Sequence, residues 1–265
     1  MKALRRAACC VLAALSFLTA PAHATSFSID QSDLYYIPAE AGWGIQLVQR
    51  GSVIFATMFV YGPANTPTWY VATLNSTDGV TWTGDLLATT GTYFAVPFNP
   101  SDFHFATVGT MTWSPQTVAS GTLAYAVNGT VVVKQVTRQT LVLDDYSGTY
   151  LGGIRIGATG CINPAANGAP TELPLVTIAI AQSGQQVTLT ISSVGIAVTI
   201  TGTLGQDGQF GSLVGTYSSN VGEVGNASIT QMNVQTNAFA ASFSLQSTNN
   251  GCLSTGYVAG IRSRM

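Results

Sequence analysis

The sequence predicts an all-β protein, two consecutive antiparallel meander β-barrels after a signal peptide, on the strength of three observations. Apolar and polar residues alternate along much of the chain: Val187, Leu189 and Ile191 share one parity against Thr188 and Thr190, and Ile196, Val198, Ile200 and Leu204 alternate with Ala197, Thr199, Thr201 and Thr203. A period of two turns one face of each segment to a core and the other to water, the mark of a half-buried strand. The pairs Asn128-Gly129, Ser183-Gly184, Asp207-Gly208 and Asn250-Gly251 punctuate these runs. Such pairs signal hairpins because Asn, Asp and Gly tolerate positive φ. The 3.6-residue period of an amphipathic helix is missing after the first 24 residues.

The first element stands apart from the fold. Lys2, Arg5 and Arg6 precede an almost wholly apolar run over 7–20, and Pro21 leads into Ala22-His23-Ala24. A basic start, an apolar centre and a small-residue cleavage site make residues 1–24 a secretory signal peptide, with Cys9 and Cys10 inside it. Composition divides the remainder. All four tryptophans (Trp43, Trp69, Trp82 and Trp113) precede Asp144-Asp145, whereas the chain beyond is built from Val, Ile, Thr, Ser and Gly. The expected domains are therefore an aromatic-rich barrel over 25–145 and a Gly/Ser/Thr-rich barrel over 146–265.

Strands are expected in the first half at 43–50, 53–61, 68–74, 81–88, 104–113, 121–127 and 131–141. In the second half they fall at 149–156, 175–182, 187–192, 196–204, 211–217, 228–234, 239–245 and 253–262. Seven or eight antiparallel strands per half, joined by short turns, suit a small up-and-down barrel, and closure removes exposed sheet edges. Closure of the second half sets its first strand antiparallel to its last, placing Cys161 beside Cys252. A disulfide between them fits an oxidising compartment, metal ligation being the weaker reading without a neighbouring histidine. One strand is apolar on both parities: Val53, Phe55, Thr57, Phe59 and Tyr61 against Ile54, Ala56, Met58 and Val60. The expectation is that the aromatic parity fills the lumen and the aliphatic parity packs on the second domain.

Charge narrows the function classes. The whole chain carries 9 Lys+Arg against 11 Asp+Glu, with 8% charged and 46% hydrophobic residues. After the signal peptide the basic residues are Arg50, Lys134, Arg138, Arg155, Arg262 and Arg264, too few and too scattered to neutralise a row of phosphates. Nucleic acid is therefore excluded as a partner. No later apolar run reaches the roughly 18 residues a membrane-spanning helix needs.

Candidate chemistry is sparse. His104 is the only histidine after the signal peptide, and Ser101-Asp102-Phe103-His104 follows Asn99-Pro100, where Ser and Asp act as turn formers. A carboxylate pair for glycoside hydrolysis would have to come from Glu40, Asp78, Asp85 or Asp102. Glu40, just before Gly42-Trp43-Gly44, either bonds a sugar beside an aromatic ring or accepts backbone N–H groups at the barrel mouth. Asp144-Asp145 has no Asp-rich loop around it and reads as a linker ahead of a calcium site. The tryptophans offer stacking faces for a sugar, with barrel core the expectation for at least half of them. No motif calls for a cofactor or a metal.

The run Pro38-Ala39-Glu40-Ala41-Gly42-Trp43-Gly44-Ile45, with Ile54-Phe55-Ala56-Thr57, Tyr61, Pro67-Thr68-Trp69-Tyr70 and Thr89-Thr90-Gly91, resembles a family of secreted proteobacterial proteins over 37–140. That resemblance implies a secreted, β-rich protein and transfers no catalytic residue. The second half is similar in style to secreted domains that open on a Gly-x-Tyr strand and close on Gly-x-Arg, here Gly148-Thr149-Tyr150 and Gly260-Ile261-Arg262. Both halves also resemble lipocalin and avidin-type barrels, in which a basic side chain of the last strand packs across an aromatic of the first. Trp43 with Arg138 and Tyr150 with Arg262 are the pairs this likeness implies.

The expected function is a secreted, non-enzymatic binding protein, periplasmic or extracellular. It would hold a small apolar or sugar-like ligand in the first barrel through Trp43, Trp69 and Tyr70 with Glu40 as polar anchor, or else meet a partner surface. The alternatives are a self-assembling or adhesive cell-surface protein and an extracellular polymer-degrading enzyme. An outer-membrane barrel ranks last, since the chain ends in Arg264-Met265 and not in an aromatic residue.

Overall fold

A computed structural model describes residues 29–263. The expected signal peptide over 1–24, with Cys9 and Cys10, and Arg264-Met265 lie outside the described residues. The first barrel is formed by β1 (Asp33–Tyr36), β2 (Gly44–Arg50), β3 (Val53–Tyr61), β4 (Pro67–Asn75), β5 (Trp82–Thr90), β6 (His104–Pro115), β7 (Ser120–Val127) and β8 (Thr130–Arg138). The second is formed by β9 (Gly148–Thr159), β10 (Gly168–Ser183), β11 (Gln186–Ser193), β12 (Ile196–Asp207), β13 (Phe210–Ser219), β14 (Val224–Gln235), β15 (Ala238–Ser247) and β16 (Leu253–Arg262). Each is a closed antiparallel meander in which every strand pairs with its sequence neighbours and the first pairs with the last.

The core of the first barrel is a stack of fully buried side chains, among them Trp82, Trp113, Tyr35, Leu74, Leu123 and Val136. Trp82 and Trp113 sit opposite each other on β5 and β6. Gly121 on β7 makes room for Trp113, because a Cβ there would run into its indole. The second barrel is filled by smaller aliphatic groups around Tyr146, Tyr150 and Phe239. Its seam is stapled by the Cys161–Cys252 disulfide, which joins residues 91 apart in sequence next to the Thr159–Leu253 pair of β9 and β16.

Both seams use one device. Tyr35 on β1 pairs with Arg138 on β8, and Tyr150 on β9 pairs with Arg262 on β16. In each case the guanidinium carbon lies 5.1 Å from the tyrosine ring centroid, within cation–π range. Each tyrosine hydroxyl then donates to the carbonyl of the residue four positions earlier, Tyr35 to Gln31 at 3.1 Å and Tyr150 to Tyr146 at 3.0 Å. The expected Tyr150–Arg262 pair is thus present. The expected Trp43–Arg138 pair is not: β1, a strand the periodicity did not reveal, lies between β2 and β8 and supplies Tyr35 in its place. Only four residues long and with Tyr35 alone buried, β1 shows no alternation to read.

The barrels meet end to end. Gln209, in the β12–β13 turn, donates from its backbone N–H to the Asp33 carboxylate at 2.9 Å and from its side chain to the Ser32 carbonyl at 2.6 Å. The connecting segment is tied down as well. Gly208 N–H donates to the Thr140 hydroxyl at 3.0 Å, and Asp144 exchanges two bonds with the Gln206 amide. The Asp144-Asp145 linker is therefore fastened to the second barrel.

The expectation for β3 is reversed. Ile54, Ala56 and Met58 are the buried parity, whereas Phe55, Phe59 and Tyr61 are about half exposed on the outside. The lumen already holds Tyr35, Trp82 and Trp113, which leaves room only for the narrower side chains. The second barrel docks at the end of the first, on Ser32 and Asp33, and does not cover this face.

Candidate functional site at the open end of the first barrel

Burial within the first barrel is graded from end to end. Toward the second barrel the core side chains are fully buried, whereas Ile37, Trp43, Val60, Tyr70, Val108, Tyr125 and Val127 pack on that core while only partly buried. These belong to the end bounded by the 37–43, 62–66, 91–103 and 128–129 loops. The core is fully buried toward the second barrel and only partly buried at this far end, the mouth of the barrel.

Across this mouth lies a polar arrangement. Lys134 shares the inward parity of β8 with Val136 and Arg138, both buried. Its Nζ donates to Glu40 Oε2 at 2.7 Å, and Trp43 Nε1 donates to the same oxygen at 3.0 Å. The ammonium lies 5.7 Å from the Trp43 ring centroid. Glu40 reaches over from the β1–β2 loop, where its N–H bonds the Ile37 carbonyl at 2.9 Å and Gly42 takes a φ of 104°. A residue with a Cβ is strained there, so Gly42 is what turns the chain into Trp43 and β2. Glu40 therefore accepts side-chain donors in place of the backbone N–H groups expected of it.

Charge and burial set the titration of the mouth. The hydrogen bond from Lys134, supported by that from Trp43, holds the Glu40 carboxyl below the ordinary carboxylate range. Burial raises the Tyr125 phenol, with the nearby Lys134 charge opposing the rise. Lys134, Trp43, Glu40, Tyr70 and Tyr125 thus offer an ammonium, an indole N–H, two phenols and flat aromatic surface in one place.

Of the four residues expected to touch ligand, Glu40, Trp43 and Tyr70 come together here. Trp69 does not join them. It neighbours Tyr70 on β4, so the pleat turns it outward, where it is 49% exposed and pairs with Phe59 of β3. Sequence reasoning missed Lys134, although it is the one lysine beyond residue 24. Its inward orientation was hidden because Val131 and Val133 make the opposite parity apolar too.

The remaining candidates lie outside this arrangement. Asp102 accepts from the Thr92 hydroxyl and the Asn99 side-chain amide, both at 2.9 Å, which closes the base of the 91–103 loop. His104 starts β6 on the exposed rim. Asp78 accepts from Ser76, Val80 and Thr81 within the β4–β5 turn. Among the described residues no group of three His, Cys, Asp or Glu side chains is placed to hold a metal ion. No protein-family model matches the chain, and a search of curated proteins returns no match.

Proposed function

We propose that this is an exported binding protein whose ligand site is the open end of the first barrel. The observation that carries the reading is the graded lumen: a solid floor of Trp82, Trp113 and Leu123 beneath a mouth lined by partly buried Trp43, Tyr70 and Tyr125. A site of this kind combines apolar walls with a few convergent polar groups, here Glu40 and Lys134. The disulfide in the second barrel fits folding in an oxidising compartment, and the second barrel acts as the scaffold. Native mass spectrometry of protein purified gently from its host tests the reading. An added mass that leaves on denaturation, and is lost from a Trp43→Ala/Tyr70→Ala variant, is the expected result. A ligand retained by that variant would move the site elsewhere.

A second reading rests on the outer face of β3 and β4. Phe55, Phe59, Tyr61 and Trp69 are each about half exposed there, and an apolar patch of this kind marks association surfaces. Self-association through this face predicts a particle size that grows with concentration and reverts in Phe59→Ser/Trp69→Ser. A constant monomer mass by light scattering eliminates it.

A further inference from the structure

We propose that the ligand of this mouth is a compact aromatic anion, an aryl carboxylate, whose carboxylate takes the place that Glu40 Oε2 now occupies between Lys134 Nζ and Trp43 Nε1. The proposal rests on the reading of the mouth as a ligand site and adds the chemical class. Lys134 sits on the wall strand β8, whereas Glu40 and Trp43 both belong to the β1–β2 loop, Trp43 directly before β2. The Glu40 side chain is the more exposed member of the ion pair, 43% against 29% for Lys134, so an incoming carboxylate reaches the Lys134 and Trp43 donors by displacing it.

Lys134 is the reason for proposing that the incoming group is an anion. Its side chain is 29% exposed and lies among apolar neighbours, with Leu123 its direct partner across the sheet. The ammonium is a partly exposed positive charge at the barrel mouth, already paired with one carboxylate, and it attracts an anion more than a neutral group. Replacing one carboxylate by another preserves that pairing; a neutral ligand that displaced Glu40 would leave the charge unpaired. Trp43, Tyr70 and Tyr125 supply ring faces for a flat group.

Depth sets the size. Val136, one inward step below Lys134, is fully buried, so the ligand ends at the lysine. From Lys134 to the start of β8 at Thr130 is four residues, roughly 13 Å of strand at about 3.3 Å each. The proposed ligand is accordingly sized at one or two fused rings, a length that this stretch of strand can flank, and not at a long alkyl chain.

Isothermal titration of the full-length, disulfide-intact protein with 2-naphthoate and with its neutral counterpart 2-naphthalenemethanol tests this. Naphthoate is expected to bind at least tenfold tighter than the alcohol. Glu40→Gln, which removes the resident competitor, should tighten naphthoate severalfold and leave the alcohol unchanged. Lys134→Met should abolish the preference, and the charge-balanced Glu40→Gln/Lys134→Gln variant guards against a folding defect in the single change. Equal binding of both probes, or a preference that survives loss of Lys134, overturns the anion assignment while the mouth remains a binding site. Failure of both probes to bind wild type and Glu40→Gln overturns the aryl-carboxylate assignment, and the mouth reading is decided separately by whether host-derived mass is lost on mutating Trp43 and Tyr70.

Discussion

The guanidinium carbon of Arg138, on the last strand of the first barrel, lies 4.9 Å from the ring centroid of Phe210, on β13 of the second. The same group faces Tyr35 and donates to the carbonyls of Asp30, Ser32 and Val118 and to the Asp33 carboxylate. With no side-chain exposure, it closes one barrel and seats the other.

Arg138→Met should therefore destabilise the first barrel by about 3–5 kcal/mol, the usual cost of leaving a buried charge and its acceptors unpaired. Chemical denaturation followed by the fluorescence of Trp82 and Trp113 reads it. Arg262, whose guanidinium donates to the Tyr150 hydroxyl (2.8 Å) and faces its ring while its Nε has no hydrogen-bond partner among the described residues, should cost less, about 1–2 kcal/mol on change to Met.

Phe210→Ala removes the apolar half of the inter-barrel contact while leaving both seams intact. Calorimetry should then resolve two unfolding transitions in place of one coupled transition. A single unaltered transition would mean that the Gln209 and Gly208 hydrogen bonds alone couple the barrels.

Reduction, or Cys161→Ala/Cys252→Ala, should lower the stability of the second barrel by about 4 kcal/mol in the chain-entropy account of a loop this long. The tryptophan signal, confined to the first barrel, should shift far less than the far-ultraviolet dichroism.

Acid should weaken the first barrel through two carboxylates. Glu40 and Asp78 both have their pKa lowered, Glu40 by Lys134 and Asp78 by the Thr81 and Val80 N–H groups. A depressed folded-state pKa gives stability that is fully present above the ordinary carboxylate pKa and is lost as pH falls through the lowered value. Melting temperature should accordingly be flat near neutrality and decline below about pH 4, and Glu40→Gln/Asp78→Asn should flatten that decline.

Acrylamide quenching checks the orientation of the tryptophans. Trp69, half exposed, should be quenched readily, whereas Trp82 and Trp113, with no exposure, should resist. Trp69→Phe is expected to remove most of the accessible emission, with Trp43 supplying the remainder.

Much of the barrel architecture was legible because its causes are local. Alternation in β11 and β12 follows from a pleat with one wet face, and Asp207-Gly208 marks their neighbouring hairpin because Gly208 takes a φ of 60°. Cys161 and Cys252 could be paired from closure alone. Legibility failed where both parities were apolar. In β3 the pattern could not say whether Phe55 or Ile54 faced inward, and in β8 the valines on both sides concealed the inward Lys134. It failed again at β1, too short to display any period.

The strand pattern, the turns, the meander order and the disulfide were thus determined by the sequence itself, since each depends on residues adjacent in the chain or on the requirement that a meander close. Only the tertiary structure decided which parity of β3 fills the lumen, that Tyr35 and not Trp43 receives Arg138, and that Glu40 meets Lys134 across 94 residues. Those outcomes depend on the fixed volume inside a closed barrel and on the strands that closure brings side by side, neither of which is a property of any local stretch of chain.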